Sequence, residues 1–160
     1  AKMTALGIPP KLLQMVQDEI DKGSYHGAIA ACSDKAPKMA AAASQSTGWA
    51  IRRVSLKNRN PKAVPDAWEQ AALEEFDRRR AAGENAAMME KAEIVAEGDK
   101  RVLRYIKALP TQKLCLNCHG QADQMTAEVR SRLSEIYPAD KATGYTEGQV
   151  RGALTVKRPL

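Results

Sequence analysis

Apolar side chains recur every three to four residues in several segments of this chain, which is the spacing of amphipathic helices. In the clearest segment, Trp68, Ala72 and Phe76 form a stripe, and Asp66 and Glu69 have the spacing of a capping box at a helix start. An alanine-rich stretch is also helical in pattern, although a proline favours an interruption within it. The predicted helices cover Lys11–Lys22, Ser24–Ser46 with an interruption near Pro37, Asp66–Ala82 and Thr126–Tyr137.

Alternation of apolar and polar residues predicts strands in other parts of the chain. Residues Val150–Lys157 alternate cleanly, which is the pattern of a half-buried antiparallel strand, and Trp49–Lys57 alternates in part. A hairpin centred on Gly98 is expected between Ala86–Glu97 and the strand Val102–Ile106. Helices that come first and strands that follow predict an α+β fold.

The run Cys115-Leu116-Asn117-Cys118-His119 carries the most specific chemistry in the chain. A Cys-x-x-Cys-His run is the attachment site of a c-type haem. On a helix or tight turn the two cysteines share a face, so both sulfurs can reach the vinyl groups of one porphyrin, and the histidine can bind the iron. The sequence therefore predicts covalent haem c, on a short helix that Thr111 caps.

Three other interpretations of this run exist. A thioredoxin-like dithiol requires a βαβ setting, which the pattern around the run does not predict. A zinc site needs four ligands, which Cys32 or His26 would have to complete, and the adjacent Cys118 and His119 fit one tetrahedron poorly. The third interpretation is a coincidental pair of surface cysteines. Haem attachment explains the complete spacing best.

Composition and charge narrow the class further. The 160 residues predict one domain, 1–160, in which 1–23 form an N-terminal helical extension. A net charge of +6 favours an acidic redox partner or an anionic surface, and the scattered charges disfavour nucleic acid. No apolar run reaches the roughly 18 residues that a membrane span needs. Because covalent haem is attached on the oxidising side of the bacterial membrane, we expect a periplasmic protein whose leader has been removed.

The residue types leave several candidates for a second axial ligand. Cys32 is the one cysteine outside the motif, and a leftover cysteine in an exported protein is a liability unless it is buried, paired or bound. His26 is the one histidine outside the motif, although its position near a helix start suits a surface role. Spacing does not separate the four remaining candidates, which are Met39, Met88, Met89 and Met125.

From about Ser24 to Leu160, the chain resembles the family of c-type haem domains with a PAS-like fold. Members of this family occur alone in the periplasm or as the sensory part of membrane histidine kinases. The resemblance follows the order of several motifs along the chain. These motifs are Ala31–Pro37, Gly48–Trp49, Arg53–Pro61, Pro65–Glu69, Leu103–Ile106, Cys115–Gly120 and Gly148–Leu154.

The resemblance implies a PAS-like antiparallel sheet flanked by helices, one covalent haem c, and unusual His/Cys ligation of the iron. Carried over to this chain, His119 is the proximal ligand and Cys32 the distal one. No kinase or signalling module lies within these residues, so a sensory role would require a separate partner. Independently of the resemblance, a basic segment supplies candidate partners for the haem propionates, although it could equally be a solvated loop. Its members are Arg52, Arg53, Lys57 and Arg59.

These features define a main functional hypothesis and two alternatives. The first is a periplasmic mono-haem cytochrome that transfers electrons. The second is a redox or gas sensor, in which the thiolate of Cys32 leaves the reduced iron and NO or CO binds. The third, an enzyme, is disfavoured because a Cys32 ligand would block the distal site and His26 is the one other histidine. We therefore expect a redox protein that is not an enzyme.

Overall fold

The computed structural model describes residues 7–160 and shows the expected α+β organisation, an antiparallel four-stranded sheet with helices packed on it. The strands lie in the order β1-β4-β3-β2. The longer elements are α1 (Ile8–Asp21), α2 (Tyr25–Ala30), α3 (Ala36–Thr47), β1 (Ala50–Val54), α4 (Ala67–Ala81), β2 (Glu90–Glu97), β3 (Lys100–Pro110), α5 (Leu116–His119), α6 (Ala127–Ile136) and β4 (Val150–Pro159). No helix among these residues is both long and apolar enough to cross a membrane.

Strand β4 lies in the interior of the sheet, where it pairs with β1 on one side and β3 on the other. The antiparallel strand predicted from alternation over Val150–Lys157 is confirmed, but the expectation that one of its faces is exposed was wrong. Residues 150–156 are all buried, because helices cover both faces of the sheet. An interior strand covered on both faces has no solvent side, and its polar residues must find partners inside the protein.

The two sheet faces have separate apolar cores. On the face that we call the α3 face, Ile51 and Leu154 pack with residues of α1 and α3. On the opposite face, the α4 face, Val54 and Ala153 pack against Leu73 and other residues of α4. Successive residues of a strand point to opposite faces. In β1, Arg53 therefore lies on the α3 face and Arg52 on the α4 face.

Helix α4 begins with the predicted capping box, in which Asp66 accepts from the backbone N–H of Glu69 and Glu69 accepts from that of Asp66. Glu69 is 2% exposed, and its carboxylate binds Arg52 at 2.5 Å, Arg104 at 3.4 Å and the hydroxyl of Thr155 at 2.8 Å. A buried carboxylate is tolerated only with such compensation. This network fixes the start of α4 to three strands of the sheet.

The alanine-rich helical stretch is interrupted by one π-helical turn, Ala31–Lys35, and then continues as α3. Pro37 lies in the first turn of α3, where a missing backbone N–H costs little. The interruption predicted near Pro37 therefore takes the form of this wider turn, which carries Cys32. Helix α1, expected as an extension, packs against α2, the π-helical turn and α3.

The predicted hairpin is also present. Strands β2 and β3 pair from Glu97 and Lys100 outward, and Gly98 at the tip has a φ of +62°. Glycine adopts this left-handed conformation without the penalty that a Cβ atom brings. The hairpin leads directly through β3 to the Cys-x-x-Cys-His segment.

Candidate cofactor site

The Cys-x-x-Cys-His segment forms a compact double turn, with a 3-10 turn over Lys113–Cys115 followed by α5. Gln112 occupies the N-cap position, so the prediction that Thr111 caps this helix was wrong. The backbone of Thr111 is instead paired, its N–H with Gln149 and its carbonyl with Gly148. These bonds hold Thr111 in line with β4, and its buried hydroxyl has no hydrogen-bond partner among residues 7–160.

A second segment of backbone clamps the end of this turn. The N–H groups of Gly144 and Tyr145 donate to the carbonyls of Gly120 and His119, each at 2.9 Å. Gly120 has no room for a side chain, because a Cβ atom would lie 2.6 Å from the carbonyl oxygen of Leu116. The local chain path therefore depends on a residue without Cβ immediately after the histidine.

The contacts of His119 define its tautomer. Its Nδ1 lies 2.8 Å from the carbonyl oxygen of Ala142 and 3.2 Å from Nε of Arg151. An unprotonated Nδ1 would oppose its lone pair to the carbonyl oxygen, so Nδ1 carries the hydrogen and donates to Ala142. In this tautomer Nδ1 cannot also accept from Arg151, whose Nε therefore lies beside the ring as a neighbouring positive charge without a hydrogen bond to it. This arrangement leaves the Nε2 lone pair of His119 available to a metal, with the backbone carbonyl as the outer support.

Burial also keeps this histidine neutral. The pKa of His119 lies well below its usual 6.5, first because burial disfavours the charged imidazolium and then because Arg151 and Arg59 are close. A neutral imidazole is the form that binds iron or another metal. The site therefore holds a ligand-ready histidine at neutral pH.

Cys32 approaches the motif from the π-helical turn, 83 residues earlier in the chain. Its thiol is close enough to Cys115 and Cys118 for their charges to interact, and all three cysteines are free of disulfides. Burial raises the pKa of Cys32, and it raises the pKa of Cys118 to about 11. Cys32 is nevertheless an exposed residue, although many other groups lie near its thiol.

Arginines lie close to the same cysteines. Arg59 is almost buried and forms a 2.9 Å ion pair with Asp140, and it also donates to the carbonyl oxygen of Cys118. Arg53, on the α3 face, acts electrostatically on Cys32 but has no hydrogen-bond or carboxylate partner among residues 7–160. Burial lowers the pKa of Arg151 to about 10, which still leaves it cationic at neutral pH.

The structure does not bring Arg52 to these cysteines. Its side chain lies on the α4 face and binds Glu69 and the carbonyl of Val64. The two adjacent arginines singled out from the sequence are therefore not equivalent. Arg53 faces the cysteines, whereas Arg52 belongs to the network that anchors α4.

The other ligand candidates are distributed around the fold. His26 lies with Tyr25 and Ile29 in a cavity of about 210 Å³ against α6. Met88 is exposed, Met89 belongs to the core of the α4 face, and Met125 is buried in a cluster that includes Cys118. No three histidine, cysteine or acidic side chains in the described part of the chain are arranged to hold a metal ion by themselves.

Sequence reasoning missed three contributors to the site. Arg151 and the carbonyl of Ala142 contact His119, and Asp140 pairs with Arg59. Arg151 lies within an alternating strand pattern that reveals nothing of its neighbour, and Asp140 lies in a loop after α6. Only the position of both segments beside the motif gives these residues their roles.

Both a family model and a solved structure match this chain. A family model described as Tll0287-like matches residues 6–159. The chain belongs to the Tll0287-like family. It is similar to a solved structure described as that of the cyanobacterial heme-protein Tll0287, with 27% identity and a TM-score of 0.71 over 96% of this chain and 91% of the other. No curated protein matches this member of the family.

Proposed function

We propose that this protein is a mono-haem c-type cytochrome that transfers electrons, with thioethers at Cys115 and Cys118 and axial ligands at His119 and Cys32. The observation that carries the proposal is the convergence of Cys32 on the Cys115–His119 turn from a distant part of the chain. The solved relative is described as a heme-protein, which supports haem as the cofactor.

The charges around the cysteines support the same cofactor. Three guanidinium groups, those of Arg53, Arg59 and Arg151, surround the cysteines and His119, and Asp140 pairs with one of them. Two buried or half-buried cations thus remain without a carboxylate among residues 7–160. Uncompensated buried charge is costly, and a carboxylate of the cofactor would compensate that of Arg53, whereas the guanidinium of Arg151 lies against the edge of His119. We assign Arg53, and not Arg52, as a candidate partner of a propionate.

Each protein group has a defined role in this proposal. A bound haem supplies a one-electron couple between ferric and ferrous iron. His119 offers Nε2, which is fixed by the Nδ1 hydrogen bond to Ala142. Cys32 would hold the iron through its thiolate, a strong donor that would stabilise the ferric state and lower the reduction potential. Arg53, close to Cys32, favours this thiolate against the desolvation that raises its pKa.

The proposal also covers the type of fold, the location of the protein, its partner and the absence of enzymatic turnover. The antiparallel sheet with helices on both faces supports a PAS-like description of the fold. Thioether formation would place the protein in the periplasm, and the net charge of +6 favours an acidic redox partner and not nucleic acid. We propose no enzymatic turnover, because Cys32 would occupy the second axial position and His26 lies elsewhere.

The proposal is tested by producing the protein together with a cytochrome c maturation system. We expect haem that stays attached in denaturant, and loss of this attachment in Cys115→Ser/Cys118→Ser. Ferric EPR and absorption spectra should show low-spin thiolate signals that vanish in Cys32→Ser. His26→Gln and Met125→Leu serve as matched controls and should leave the spectra unchanged. Wild-type protein without covalent haem contradicts the function, and unchanged spectra in Cys32→Ser contradict the ligand assignment.

A redox or gas sensor is the second candidate, and one observation favours it. Cys32 lies on a π-helical turn, a form common at functional sites, and it is an exposed residue. Because the pKa of this thiol is raised by burial, protonation would favour its release when reduction weakens the iron–sulfur bond. The reduced protein would then bind NO or CO. A six-coordinate ferrous spectrum that is unchanged under CO contradicts this alternative and supports electron transfer.

A further inference from the structure

Arg151 is a buried cation whose observed partners are all neutral. It is 6% exposed, and its guanidinium lies 3.0 Å from the hydroxyl of Ser55, 3.4 Å from the carbonyl of Lys57 and 5.3 Å from the centre of the Tyr145 ring. The nearby carboxylate, Asp140, is engaged by Arg59. No carboxylate among residues 7–160 forms an ion pair with Arg151, so its positive charge is not neutralised locally.

The fold holds this charge in a fixed position. The backbone carbonyl of Arg151 accepts from the hydroxyl of Ser55 at 2.8 Å, while the guanidinium donates to the same hydroxyl. The next residue, Gly152, allows β1 to approach closely, since a Cβ atom there would lie 2.5 Å from the carbonyl oxygen of Val54. A neutral side chain could fill the same space without the desolvation cost of a cation. The charge itself is therefore the feature that needs an explanation.

The guanidinium lies against the edge of the proposed proximal ligand. Nε of Arg151 is 3.2 Å from Nδ1 of His119, on the side of the ring away from Nε2. In a low-dielectric interior, a positive charge at this distance from His119 raises the energy of any positive charge on a metal that the imidazole binds. Arg151 does not need to move or to exchange a proton in order to do so.

We propose that Arg151 is a positioning residue that raises the reduction potential of the haem through His119. This inference rests on the proposed function. Ferric iron carries one more positive charge than ferrous iron, so a fixed cation beside the proximal imidazole destabilises the ferric state more. Arg151 would thus oppose the lowering of the potential that a Cys32 thiolate ligand would cause.

The test compares midpoint potentials of matured, haem-loaded variants by spectroelectrochemistry. Arg151→Gln should raise the ferric-to-ferrous ratio at fixed potential at least tenfold, which is 59 mV for a one-electron couple. Arg151→Lys should restore most of the difference. Arg78→Gln removes an exposed arginine of α4 by the same substitution and should leave the ratio unchanged. In all variants the EPR spectrum should retain the ligand signature of wild type.

A second variant covers the case in which Arg151→Gln does not accumulate. Ser55→Asp keeps Arg151 and places a carboxylate against its guanidinium, so the potential should fall in the same direction. A wild-type potential in Arg151→Gln or in Ser55→Asp overturns the inference, as does an equal fall in Arg151→Lys. These outcomes leave the proposed function intact as long as wild type carries covalent haem. A wild-type protein without haem contradicts the proposed function and this inference together.

Discussion

Arg59 and Asp140 form a 2.9 Å ion pair across 81 residues of chain, and both side chains are largely buried. The same guanidinium donates to the carbonyl of Cys118 and, at 3.2 Å, to that of Ala142. One side chain thus joins the cysteine turn to the loop that supports His119. This connection gives the site its shape before any cofactor is considered.

We expect Arg59→Gln to destabilise the protein by about 3–5 kcal/mol, because it leaves the carboxylate of Asp140 buried without its partner. Urea unfolding measures the change. Lys22→Gln is the control, since Lys22 forms an exposed pair with Glu19 that should contribute about 0–1 kcal/mol. Equal effects of the two substitutions would show that the Arg59 pair contributes no more than a surface contact.

Local signals predicted much of the fold. The capping box at Asp66 and Glu69 and the turn at Gly98 depend on residues within a few positions of each other, and both are confirmed. The burial of β4 was not predictable in this way. Its alternation describes the strand alone, whereas burial of its second face depends on helices that pack there from other parts of the chain.

The candidate site was predictable to the same extent. The spacing of Cys115, Cys118 and His119 is local and therefore visible in the sequence. Alternation also places Arg52 and Arg53 on opposite faces of the sheet. The sequence does not show, however, that α4 packs on the face of Arg52 and leaves Arg53 on the face of the cysteines. Contacts such as that between Arg151 and His119 depend on tertiary structure and have no counterpart in sequence spacing.

Gly120→Ala should destabilise the protein by about 1–3 kcal/mol and reduce covalent haem attachment. The backbone of Gly120 is ordinary, with a φ of −75°, so the effect is steric: the new Cβ atom would lie 2.6 Å from the carbonyl oxygen of Leu116. Gly98→Ala is the matched control. Gly98 has open space around it but a positive φ. Its replacement by alanine should lower the free energy of unfolding by about 1–2 kcal/mol without affecting haem attachment. Normal haem content in Gly120→Ala would contradict the requirement for a bare backbone.

The neutral state of His119 predicts a pH dependence of stability in protein prepared without haem. The pKa of His119 lies below 6.5 in the folded protein and near 6.5 in the unfolded chain. At a pH between the two pKa values, His119 carries a proton in the unfolded chain but not in the folded protein. The contribution of His119 to the free energy of unfolding is therefore complete above about pH 6.5. It falls toward acid pH, by at most about 1.4 kcal/mol per pH unit. Urea unfolding at pH 7, 6 and 5 measures this slope. His119→Gln should flatten it, and a slope retained in that variant would assign the dependence to other groups.

The surface charge predicts how the haem-loaded protein exchanges electrons. The polypeptide has a net charge of +6 and stays positive when two haem propionates are added, so it should react faster with an anionic redox complex than with a cationic one of similar driving force. The preference should shrink as ionic strength rises from about 0.05 to 0.5 M, because the Debye length falls below the size of the encounter surface. Stopped-flow rates across this range measure it. A preference for the cationic complex, or a rate independent of salt with both, would contradict the proposal of an acidic partner.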